Sequence, residues 1–108
     1  MRRVVITGLG IVSCIGNNQP EVLDSLLNTK SGIVFSEDHK KYNFRSQVVG
    51  AIKNLNLSDH IDRKKIRFMG DGSAYNYIAM VEAIKDSGLE EKNISNEMTG
   101  IIMGSGGP

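Results

Sequence analysis

Apolar residues fall along this chain in two rhythms. Near the N-terminus, Val4, Val5 and Ile6 form a β-branched run that Leu9, Ile11, Val12 and Ile15 extend without any helical period. Such a run predicts a strand over 4–13, buried on both faces inside an α/β sheet. Gly8, Gly10 and Gly16 interrupt it, where another backbone must come close or the chain must turn. A second buried strand is predicted over 99–103, leading into Gly104-Ser105-Gly106-Gly107, and a weaker one over 47–52. The other rhythm is helical. Pro20 suits a first turn, Asn18 or Gln19 can cap it, and Glu21 sits at the positive end. Val22, Leu23, Leu26 and Leu27 make one apolar stripe, which Lys30 and Gly32 close. Ala74, Tyr77, Ile78, Val81 and Ile84 repeat at three and four and predict a helix over 71–87, ended by Gly88. Residues 62–69, DRKKIRFM, read as a basic helical turn with Ile66 and Met69 inward and Arg63, Lys64 and Arg67 outward. Residues 36–45 read as a polar surface excursion and 90–97 as a polar link. The order implies a strand–crossover–strand unit with a parallel pair of strands.

Composition narrows the function classes. The 108 residues are 40% hydrophobic and 23% charged, with a net charge of +1, which argues against bulk attraction to nucleic acid or membrane. No apolar run approaches the roughly 20 residues that a membrane helix needs. Arg2 and Arg3 precede an apolar run, but three glycines cut it and Asn17-Asn18 follow, so a cytoplasmic protein is expected rather than a secreted one. Cys14 is the single cysteine, which excludes an intrachain disulfide, fits a reducing compartment, and reads as a small buried core residue. His39 and His60 lie in polar surroundings and read as solvated; neither has a partner at metal-ligand spacing. Two convincing strands are few for a sheet covered on both faces, and the chain stops in a glycine loop. It therefore reads as the N-terminal part of a longer protein.

Two glycine motifs invite a nucleotide. Gly8-x-Gly10 would suit a dinucleotide-dependent oxidoreductase, but Ser13 holds the third glycine's place, Gly16 comes too late, and strand-like residues continue where a helix should open. Gly104-Ser105-Gly106-Gly107 lacks the Gly-Lys-Ser/Thr of a phosphate loop. No nucleotide or other cofactor is expected. The basic turn reads in two ways: a solvated charged face balanced by Asp59 and Asp62, or a docking patch, which alone would make this a small binding module.

Taken together, ITGLGIVSCIGNN at 6–18, SGI at 31–33, IDRKKIRFM at 61–69, AIKDSGL at 83–89 and GIIMGSGG at 100–107 resemble, in order, the N-terminus of the β-ketoacyl-acyl carrier protein synthases, most nearly their bacterial synthase I branch. The resemblance implies an α/β, thiolase-like fold, five-layered α-β-α-β-α in the complete enzyme, of which residues 1–108 would be an incomplete N-terminal part. It implies fatty-acid elongation by decarboxylative Claisen condensation of an acyl-enzyme thioester with malonyl carried on acyl carrier protein. The family's catalytic cysteine and two histidines lie in later motifs that Cys14, His39 and His60 do not match, so no catalytic residue is expected here. The resemblance also implies docking of acidic acyl carrier protein on Arg63, Lys64 and Arg67, to which Lys65 adds charge. Gly106 and Gly107 would border the acyl channel, although Pro108 departs from the glycine expected next. A homodimer of the complete enzyme is implied; metal, nucleic acid and membrane are not.

Overall fold

A computed structural model describes residues 1–106. The chain divides into two compact units, one of residues 11–55 and one of residues 1–10 with the chain from Asn56 onward.

In the 11–55 unit, α1 (Gln19–Leu27) starts as expected. Asn18 accepts from the Glu21 amide at 3.0 Å, and Pro20 occupies the first turn. The Glu21 carboxylate reaches back to accept from the Asn17 amide at 2.8 Å, so two orphan donors are satisfied reciprocally. The helix ends at Leu27, short of Lys30, because Thr29 takes a left-handed φ of 52° and turns the chain. Only Val22 and Ser25 of α1 are buried; Leu23, Leu26 and Leu27 of the expected stripe are exposed. Ser25 Oγ donates to the Ile15 carbonyl at 2.6 Å, which settles the one buried polar side chain. Lys30 Nζ lies 2.5 Å from Asp24 Oδ2 and holds that carboxyl below its ordinary value. Both side chains are more than half exposed, so the pair adds little stability.

β1 (Ile33–Phe35) and β2 (Val48–Gly50) pair antiparallel, with Val34 opposite Val49. The polar excursion between them contains a short helix, α2 (Glu37–Lys41), capped by Ser36 Oγ, which accepts from the His39 amide at 3.2 Å. His39 is half-buried rather than solvated. Its Nδ1 lies 3.2 Å from the Ser46 carbonyl oxygen and its ring 4.8 Å from that of Phe44, because the chain folds back after α2. Cys14 is half-buried, not fully buried. It lies so close to Gly32 that a Cβ there would overlap the Cys14 carbonyl and sit 2.7 Å from Sγ.

In the other unit, α4 (Asp71–Ser87) is the long helix that the apolar spacing predicts, after α3 (Arg63–Ile66) and before α5 (Glu91–Ile94) in the polar link. It buries Ala74 and Ile78, and Gly88 ends it at φ 62°. Ile61 is the third buried apolar residue of this unit. The two apolar runs behave differently from expectation. Among the described residues neither 4–13 nor 99–103 forms a ladder; the only sheet is the antiparallel β1–β2 pair, so the parallel pair is not present. A strand acquires hydrogen bonds and cover only from neighbours. Val4, Ile6 and Ile102 are more than 90% exposed instead. In place of a sheet, Gly8 and Gly10 lie against α4. A Cβ at Gly10 would overlap the Ala79 carbonyl oxygen, and one at Gly8 that of Ala83. The Leu9 amide donates to Asp86 Oδ2 at 3.0 Å beside them.

Candidate functional site

The basic turn is built from local hydrogen bonds. A 3₁₀ turn at Leu57–Asp59 precedes it, and Ile61, only 3% exposed, donates its amide to the Leu57 carbonyl at 2.9 Å. Asp62 then caps α3 by accepting from the Lys64 amide at 2.7 Å. The turn continues past the helix as the Phe68 amide donates to Lys65 O at 3.0 Å and that of Met69 to Ile66 O at 2.9 Å. Ile66 and Met69 are half-buried, and Arg63, Lys64, Lys65 and Arg67 are all exposed, as the charge pattern predicts. The expected balance by Asp59 and Asp62 does not take the form of ion pairs. Asp59 accepts from Asn56 Nδ2 at 3.0 Å, Asp62 is the helix cap, and among the described residues no salt bridge involves any of the four cations. The turn thus carries four exposed cations without an ion pair among the described residues.

Phe68 receives no assignment from the sequence pattern. Its side chain is 82% exposed, and the Arg67 guanidinium lies 5.1 Å from its ring centroid.

A groove of ≈ 420 Å³ lies in the same unit, lined among others by Met69, Tyr77, Met80, Ile101, Met103 and Gly104. Tyr77, which the helical spacing assigns to the apolar face, lines this groove together with Met80. Ser105 also lines the groove, and Gly106 follows it. A Cβ at Gly106 would meet nothing within 4 Å among the described residues, so glycine is not required there by this unit's own packing. Gly107 lies outside the described residues.

The 11–55 unit has a cleft of ≈ 270 Å³ lined by Ser13, Cys14, Glu21 and Lys53 among others. Its lining holds no histidine among the described residues, and the Glu21 carboxylate accepts from the Asn17 amide. Among the described residues there is no cluster of three or more metal-ligating side chains, and no helix is long and apolar enough to cross a membrane.

Comparison with known proteins completes the picture. The family model described as "Beta-ketoacyl synthase, N-terminal domain" matches residues 1–107. A curated relative, 3-oxoacyl-[acyl-carrier-protein] synthase 1 of Haemophilus influenzae, is 57% identical over 106 residues, covering 98% of this chain and 26% of that protein. The synthase 1 of Escherichia coli (strain K12) is 53% identical over 108 residues, covering 99% and 26%. The 3-oxoacyl-[acyl-carrier-protein] synthase 2 of Vibrio harveyi is 34% identical over 105 residues, covering 97% and 25%. The chain spans about a quarter of the length of these relatives.

Proposed function

Because this chain belongs to the β-ketoacyl synthase N-terminal domain family, we propose that it forms the N-terminal part of a condensing enzyme of the 3-oxoacyl-ACP synthase 1 kind. The observation that carries this reading is identity along the whole chain, 57% and 53% to synthase 1 against 34% to a synthase 2. In the proposed reaction an enzyme thiolate holds the acyl chain as a thioester. Malonyl on acyl carrier protein loses CO₂, the resulting carbanion attacks the thioester carbonyl, and the thiolate leaves. On this reading the thiolate and the groups that stabilise the developing enolate come from later motifs of the complete protein. The fold reading is the thiolase-like, five-layered arrangement, in which the apolar runs 4–13 and 99–103 become interior strands once neighbours cover them. A cytoplasmic homodimer completes the reading.

Two surfaces serve that reaction. Arg63, Lys64 and Arg67, with Lys65, form the docking surface for the carrier protein; among the described residues none of the four is in an ion pair, which leaves their charge available to a partner. The apolar groove lined by Met103, Gly104 and Ser105 belongs to the acyl channel, to which Gly106 and Gly107 are assigned from the sequence. An oxidoreductase has no support, because Gly8 and Gly10 serve close packing against α4 rather than a phosphate turn. A free-standing binding module does not account for identity that runs from end to end.

The activity is tested by asking whether the full-length protein releases CO₂ and forms 3-oxoacyl carrier protein from acyl and malonyl carrier proteins. The docking surface is tested by Lys64→Glu in that protein. Exposed pairs are each worth about 0.2–1 kcal/mol, so a charge reversal raises KM for malonyl carrier protein several-fold at low salt while kcat stays within about twofold. The effect shrinks as salt rises. An unchanged KM at low salt removes the docking assignment.

A further inference from the structure

We draw no further inference here: the strongest candidate, the polar cleft of the 11–55 unit lined by Ser13, Cys14, Glu21 and Lys53, rests on a lone half-buried cysteine with no second observation that points to a ligand.

Discussion

Prepared alone, this 108-residue chain is expected to hold helical structure without a cooperative unfolding transition. The magnitude follows from its surface. The chain exposes 9187 Å². A folded monomer of 11.8 kDa exposes about 5,900 Å² by the size scaling of folded proteins. The excess, about 3,300 Å², is more than half again. With the usual apolar share of about 55–60%, roughly 1,900 Å² of apolar surface stays in water that a self-contained domain would bury. At about 25 cal/mol per Å² that is some 45–50 kcal/mol of forgone hydrophobic stabilisation, against a net stability of about 5–15 kcal/mol for ordinary domains. The residues say the same. The buried apolar side chains among those described are Val22, Ile61, Ala74 and Ile78, while Val4, Ile6, Phe68 and Ile102 are more than 80% exposed.

The assay is thermal circular dichroism at 222 nm with sedimentation velocity, dye binding to exposed apolar surface, and an amide NMR spectrum. The expected outcome is a helical signal that declines gradually on heating, strong dye fluorescence, narrow amide dispersion and association that grows with concentration. A sharp sigmoidal melt from a monomer with dispersed amides would refute the reasoning, since it would show that the four buried apolar side chains suffice.

Two further perturbations test separate parts of the chain. Gly10→Ala in the full-length protein places a methyl on the Ala79 carbonyl and 2.7 Å from Ala83 N. A helix backbone cannot rotate aside, so urea unfolding should show a loss of about 1–3 kcal/mol or more. Gly72→Ala, which meets nothing within 4 Å inside α4, should be neutral or slightly stabilising; equal effects of the two would contradict the packing of 1–10 on the helix. Gly107→Met tests the channel assignment, where loss of long acyl primers with retained reaction of short ones is expected, and uniform loss across chain lengths counts against it.

What the sequence discloses here depends on how far away a residue's partner lies. The start of α1 is legible because Asn18, Pro20 and Glu21 act on one another within three positions, and α4 because Ala74 and Ile78 share a face one turn apart. Gly88 announces its own left-handed φ. The end of α1 is not legible, since a β-branched residue, Thr29, turns the chain at φ 52° where its type argues against it. β1 and β2 are three residues each, too short for a period to show, and pair only because the 36–47 return brings them together. The runs 4–13 and 99–103 read as buried strands but form no ladder and are largely exposed among the described residues, because apolarity carries no information about which strand will supply the pairing.

The candidate surfaces divide in the same way. Residues 62–69 can be read as a basic turn because Asp62 caps two residues on and the hydrogen bonds that follow span three or four. Their charges need no distant partner to be exposed. Phe68 receives no assignment from the sequence pattern, and only the turn that leaves Ile66 and Met69 half-buried shows it exposed. The groove is the converse case. Tyr77 and Met80 reach it from α4, but Ile101, Met103 and Gly104 come from more than twenty positions away, which no spacing rule connects. A docking surface made of consecutive residues and a channel assembled across the chain therefore demand different tests. Charge variants in the turn should act on carrier affinity alone. Variants in the groove should act on chain length, whichever substrate delivers the acyl group.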